Sequence, residues 1–87
     1  MWEKKANLLK ALGEPHRFQA LAILSKEELC VGDLARSLGL SPAAMSLHLM
    51  ILREHQFVTA RREFNRVFYK CDSPAVKKMI DVLSQLD

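Results

Sequence analysis

Residues 31–54 read VGDLARSLGLSPAAMSLHLMILRE and contain two helical patterns separated by a short turn. In the first pattern, apolar residues recur at i, i+3, i+4 and i+7 from Val31 onward, which predicts a short helix that ends at Gly39. Ser41 followed by Pro42 is typical of a helix N-terminus, because serine caps the free N–H groups and proline has none to lose. A second helix is therefore expected over the rest of this stretch. Its predicted inward-facing residues are Met45, Leu49 and Leu52.

The residues after this helix pair predict a basic β-hairpin. Residues 57–62 and 67–71 are rich in β-branched and aromatic side chains, which favours strands. Residues 63–66 between them predict a turn, since Asn65 tolerates the left-handed conformation. Two helices joined by a turn and followed by a hairpin form a winged helix-turn-helix, a mostly α fold with a small β-wing.

Helices are also expected on both sides of this unit. Residues 2–12 predict a first helix, Pro15 starts a second that runs to about Lys26, and Ser73-Pro74 starts a last one. The predicted order is α1-α2-α3-α4-β1-β2-α5 in a single domain over residues 1–87, with residues 29–31 as a possible extra strand. The apolar stripes of the first and last helices exceed what one small core can bury, which predicts a two-fold dimer through them.

Composition narrows the function classes. With 87 residues, 49% hydrophobic and 26% charged, the chain fits one folded domain. It has no apolar run of the ~20 residues that a membrane span needs. Two cysteines are too few for a disulfide scaffold, so a reducing cytoplasm is the expected location. Because the sequence has no glycine-rich phosphate loop, nucleophile elbow or paired-carboxylate pattern, we expect a binding module without a cofactor and not an enzyme.

Positive charge is concentrated in residues 48–71. The whole chain has a formal net charge of +3, and this stretch alone carries five Lys/Arg against two acidic residues. The pattern predicts a patch that faces an anion, although a solvated basic face would look the same. In a winged helix-turn-helix, the second helix enters the major groove of double-stranded DNA and the hairpin reaches the neighbouring backbone. The expected phosphate contacts are Arg53, Arg61, Arg62 and Arg66, and the expected residues facing the bases are Ala43, Ser46, Leu47 and His48.

Six segments together resemble the ArsR/SmtB family of bacterial transcriptional regulators, and the resemblance extends from Leu8 to about Leu83. The segments are LLKALG at 8–13, PHRF at 15–18, ELCVGDLA at 28–35, LSPAAMSLHL at 40–49, RRE at 61–63 and VFY at 67–69. The resemblance implies a homodimer built on the first and last helices. It also implies operator DNA binding and repression that an inducer relieves, with the inducer left open.

The predicted recognition helix departs from the family pattern at its outward positions. Family members usually have polar residues there, whereas this chain has Pro42, Ala43, Leu47 and Met50. Apolar groups can contact thymine methyl groups but cannot make bidentate pairs to guanine or adenine. We therefore expect DNA binding to depend more on phosphate contacts and DNA shape than on direct contacts to base edges. The alternative is a protein-interaction module that docks a partner through Leu47 and Met50. His48 has a second interpretation too, as a partly buried helix residue.

Neither metal site that is familiar in this family is expected. One type places paired thiols near the third helix, but here Cys30 is followed by Val31 and Gly32. A second type uses histidine and carboxylates on the last helix, which offers no histidine. The acidic residues there are Asp72, Asp81 and Asp87. The three histidines, His16, His48 and His55, are scattered without ligand spacing.

The two cysteines leave two interpretations open. In this topology, residues 29–31 lie beside the second hairpin strand, so Cys30 and Cys71 could approach within disulfide distance. A repressor that responds to thiol oxidation is therefore one hypothesis. The other is that both cysteines act as small buried hydrophobic residues.

Overall fold

The computed structural model describes residues 1–86 and contains five helices and one antiparallel sheet of three strands. Asp87 lies outside the described residues. The elements in chain order are α1 (Trp2–Leu12), α2 (Pro15–Leu24), β1 (Leu29–Cys30), α3 (Val31–Leu38), α4 (Pro42–Glu54), β2 (Thr59–Glu63), β3 (Arg66–Lys70) and α5 (Pro74–Ser84). The predicted winged helix-turn-helix is confirmed, with residues 29–30 as an additional strand before the helix pair.

Local caps explain why the helices begin and end where they do. The Ser41 hydroxyl accepts the N–H of Ala44 at 3.1 Å, and the Ser73 hydroxyl accepts the N–H of Val76 at 3.2 Å. Gly39 ends α3 in the left-handed conformation, with φ of 69°. The predicted helix starts at Ser41-Pro42 and Ser73-Pro74 and the predicted helix end at Gly39 are thus confirmed. These positions are visible in the sequence because capping depends on neighbouring residues only.

The end of α4 sets the direction of the hairpin that follows. Gln56 has a positive φ of 62°. Its N–H donates to the Arg53 carbonyl, and the N–H of Phe57 donates to the Leu52 carbonyl, both at 2.9 Å. This pair of hydrogen bonds is a Schellman motif, which terminates the helix and reverses the chain into the sheet.

The sheet has the order β1-β3-β2, so the short first strand pairs with the second hairpin strand as predicted. A two-residue turn, Phe64 and Asn65, joins β2 to β3. The predicted turn is confirmed, but Asn65 is not its left-handed residue. The residue with positive φ, 57°, is Phe64. A positive φ at the first turn residue alone is the pattern of a type II′ turn, in which glycine is usual.

The core lies between α2, α3 and α4. The largest completely buried side chains include Leu21, Leu34, Met45, Leu49 and Leu52, and Val58, Cys71 and Val76 close the cluster from the sheet and α5. This confirms the predicted inward face of α4. No helix in residues 1–86 is long and apolar enough to cross a membrane.

Large apolar side chains remain exposed on α1 and α5, as their sequence stripes predict. Leu9 is exposed on α1, and Val82 and Leu83 are exposed on α5. Leu9, Met79 and Leu83 line an open apolar groove of about 360 Å³ between these helices and the start of α2.

Candidate nucleic-acid interface

The outer face of α4 is the exposed surface that the helix-turn-helix presents. It consists of Ala43, Ser46, Leu47 and Met50, all exposed to solvent. Leu47 is 60% exposed and Met50 is 51% exposed, although both are large apolar residues. Ser46 is the one side chain of this face that can donate a hydrogen bond. The structure thus places three of the four predicted base-facing residues on one surface.

His48 lies on the flank of α4 and contacts α2. Its Nδ1 lies 3.4 Å from Nη1 of Arg17, and its ring stacks on His16 with 5.9 Å between ring centroids. A guanidinium can only donate, so Arg17 is the donor in this contact. His48 is half-buried, as in the second interpretation of this residue.

Three arginines at the end of α4 and on the hairpin of β2 and β3 leave their charge free. Arg53, Arg62 and Arg66 are exposed, and none forms an ion pair within residues 1–86. Arg53 lies in the last turn of α4 and lines two open clefts that connect the helix with the wing, the hairpin of β2 and β3. The first cleft, about 470 Å³, is lined by Ser46, Leu49, Met50, Arg53, Glu54 and Tyr69.

Arg61 differs from its neighbours because two carboxylates hold it. Its guanidinium donates to Glu28 at 2.7 and 2.9 Å and to Glu63 at 2.5 Å, and it lies over the Phe68 ring at 4.9 Å. The hydrogen bond from Arg61 holds the pKa of the Glu28 carboxyl below its usual range, against the opposing effect of desolvation. Glu28 lies 33 residues from Arg61 in sequence and outside residues 48–71. The charge count over residues 48–71 therefore could not show that Glu28 neutralises Arg61.

Phe64 is a feature of the wing that sequence reasoning missed. It stands at the tip of the turn and is 92% exposed. Phenylalanine is not stabilised at this position by burial, and it does not favour the left-handed backbone conformation that the position requires. Its position in a two-residue turn between charged strands was the sequence feature that could have predicted its exposure.

Glu14, His16 and His48 form a cluster that the sequence did not predict. Their ligand atoms all lie within 4.8 Å of one another. The interpretation of His16 and His48 as scattered was wrong, because α2 and α4 pack together and bring them into contact. Desolvation opposes the ionisation of Glu14. Hydrogen bonds from the Arg17 N–H and from His16, together with His48, outweigh it, so the pKa of Glu14 is lowered.

The two cysteines lie on neighbouring segments but not opposite each other. Cys30 pairs with Phe68 in the sheet register, and Cys71 lies three residues further along. At a rise of about 3.3 Å per residue this offset is about 10 Å, beyond the Cα separation of a disulfide. Both thiols are free, and Sγ of Cys30 donates to Asp33 at 3.2 Å. Burial of Cys71 raises the pKa of its thiol.

A capped helix with an exposed outer face, followed by a hairpin with free arginines, defines a regulator of the winged helix-turn-helix class. The family model described as "Bacterial regulatory protein, arsR family" matches residues 14–60. The chain belongs to this family of transcriptional regulators, and the resemblance seen in its sequence is confirmed.

Individual relatives agree over nearly the whole chain. The transcriptional activator HlyU of Vibrio cholerae is 43% identical over 83 residues, which cover 95% of this chain and 77% of HlyU. The crystal structure of NolR from Sinorhizobium fredii has a TM-score of 0.92 at 39% identity, covering 97% of this chain and 84% of NolR. The homodimeric winged helix-turn-helix DNA-binding domain of Mb0332 from Mycobacterium bovis has a TM-score of 0.84 at 28% identity. That match covers 95% of this chain and 77% of the Mb0332 fragment.

Proposed function

We propose that this chain is a homodimeric, sequence-specific regulator that binds double-stranded DNA and represses transcription. In this proposal α4 enters the major groove and the wing lies along the adjacent backbone. The observation that carries it is that free arginines lie at the end of α4 and on the wing, with Arg53 and Arg62 lining one cleft next to the exposed outer face of α4. Such a protein works at the chromosome and therefore in the cytoplasm.

Phosphate binding is assigned to Arg53, Arg62 and Arg66. Each has an exposed guanidinium without a carboxylate partner in residues 1–86. Arginines that neutralise phosphates release counterions, which gives a steep salt dependence. Arg61, also expected at the phosphates from the sequence, contributes less here because Glu28 and Glu63 already neutralise it.

Base readout is assigned to the outer face of α4. Ala43 and Leu47 can contact thymine methyl groups, and Ser46 can donate to a base edge. His48 contributes through its ring edge from the flank of the helix. Because this face holds no arginine, asparagine or glutamine, specificity rests mostly on DNA shape.

Homodimerisation is assigned to the exposed apolar surfaces of α1 and α5. A two-fold dimer would cover Leu9, Val82 and Leu83 and place two α4 helices about one DNA turn apart, roughly 34 Å. Val82→Glu should dissociate the dimer, since Val82 is 62% exposed and its replacement leaves the monomer core intact. Sedimentation velocity measures this, with Ser84→Glu on the polar side of α5 as the control. Equal masses for both variants would contradict the assignment.

The test of DNA binding begins with random duplex DNA at low salt, followed by selection of an operator from a random library. Binding that weakens steeply as salt rises is the expected result. No detectable binding at low salt would refute the proposal. Repression is then tested by transcription in vitro from a promoter containing the selected operator, where added protein should lower the transcript yield.

A second candidate function is docking of a protein partner through Leu47 and Met50. The exposure of these two apolar side chains favours it. An apolar docking surface keeps its affinity as salt rises, whereas DNA binding does not.

The hypothesis of a thiol switch through Cys30 and Cys71 requires movement of the sheet. Unchanged DNA affinity in the double serine variant under oxidant would refute it.

A further inference from the structure

The junction between α2 and α4 holds a carboxylate and two imidazoles that the DNA-binding proposal does not use together. Glu14 caps α2, His16 lies in the first turn of α2, and His48 comes from α4. Their ligand atoms lie within 4.8 Å of one another, and all three side chains are half-buried. Within residues 1–86 this is the only such group of three His, Cys, Asp or Glu residues.

The two oxygens of Glu14 have separate tasks. Oε1 accepts the backbone N–H of Arg17 at 2.9 Å and so caps the helix. Oε2 faces Nδ1 of His16 at 3.2 Å. Two ligands of a tetrahedral metal with bonds of 2.0–2.1 Å are about 3.3 Å apart, so this pair already has the spacing of a chelate. His48 needs to approach by no more than about 1.5 Å, which a side-chain rotation supplies.

The donor set also has the required chemical character. Two imidazole nitrogens and one carboxylate oxygen suit Zn²⁺, Co²⁺ or Ni²⁺ and leave a fourth position for water. Imidazole ligates a metal in its neutral form, and both rings of the cluster can supply a nitrogen lone pair in that form. Among residues 1–86, Arg17 is the cation that is hydrogen-bonded to the cluster: its backbone N–H donates to Glu14, and its guanidinium lies 3.4 Å from Nδ1 of His48.

We propose that Glu14, His16 and His48 form a binding site for a first-row transition-metal dication at the junction of α2 and α4. The site is separate from the cysteine positions near α3 and from the last helix. It joins the N-terminus of α2 to the flank of the proposed recognition helix. The proposal does not depend on DNA binding.

The test uses the full chain stripped of metal with a chelator and titrated with Co²⁺. Wild-type protein should develop saturable visible d–d absorption with one metal per protomer. Its melting temperature should rise by about 10 °C at a metal concentration about 100 times Kd. His16→Gln and Glu14→Gln should each weaken binding on the order of 100-fold. Glu14→Gln keeps an oxygen for the helix cap, so this variant should fold normally.

His55→Gln is the matched control, because His55 stacks on Phe57 outside the cluster. It should bind Co²⁺ as wild type does. The site is refuted if wild type shows neither absorption nor stabilisation up to millimolar metal. It is equally refuted if His55→Gln weakens binding as much as His16→Gln, since the metal would then bind without regard to the cluster. Both readouts are obtained without DNA, so a failure of DNA binding leaves them interpretable.

Discussion

Replacing Arg62 or Arg61 with glutamine should have different effects on DNA binding, although the two residues are adjacent. Arg62 has a free guanidinium, whereas Arg61 is held by Glu28 and Glu63. In a two-fold dimer each substitution acts twice. Arg62→Gln therefore removes about two phosphate contacts, and Arg61→Gln removes few.

The magnitude follows from the number of free cations. Three free arginines per protomer give about six phosphate contacts per dimer and a slope of log affinity against log salt of about −5.4. Between about 50 and 200 mM salt the wild-type affinity should fall about 2000-fold. With about four contacts left, the slope of Arg62→Gln should be about −3.6 and the fall about 150-fold.

Fluorescence anisotropy with a labelled operator duplex, repeated across the salt series, measures these slopes. Lys26→Gln is the control for charge alone, because Lys26 is exposed in the turn after α2, outside α4 and the wing. It should keep the wild-type slope. If Arg61→Gln and Arg62→Gln lower the slope equally, ion pairing in the free protein does not decide which arginine binds phosphate, and the reasoning fails.

Three further predictions concern the wing and the thiols. Phe64→Gly should raise the melting temperature by a few degrees, because relief of about 1–2 kcal/mol of positive-φ strain exceeds the entropic cost of glycine of about 0.5–1 kcal/mol; a lower value in a thermal scan would contradict this. In a thiol-labelling time course, Cys30 should react well before Cys71, whose burial raises its pKa; equal rates in folded protein would contradict it. Arg61 lowers the pKa of Glu28. The ion pair therefore stabilises the fold at pH values above the ordinary glutamate pKa of about 4.3. This stabilisation is lost as the pH falls through the lowered pKa of Glu28 in the folded protein. Glu28→Gln should therefore flatten the dependence of melting temperature on pH below about 4.3, and an unchanged curve would exclude the pair as its source.

Sequence predicted the elements whose causes are local. Ser41, Ser73 and Gly39 begin or end helices through hydrogen bonds that span only a few residues, so their patterns are visible in the chain. Contacts between distant segments were not predictable in this way. The pairing of Arg61 with Glu28 and the contact of His16 with His48 depend on how α2, α4 and the sheet pack, and no periodicity encodes that packing.

Packing also changes what the net charge means. A formal charge of +3 is mild for a DNA-binding protein. Pairing within residues 1–86 neutralises Arg61 and leaves Arg53 free at the end of α4 and Arg62 and Arg66 free on the wing. Six such arginines per dimer should be enough for strong attraction to any duplex, because phosphate binding does not depend on sequence. In the proposed complex, an outer face with one hydroxyl and mostly apolar groups should add little direct readout. The physical consequence is a regulator whose specificity should follow the shape and deformability of its operator more than its base-edge pattern.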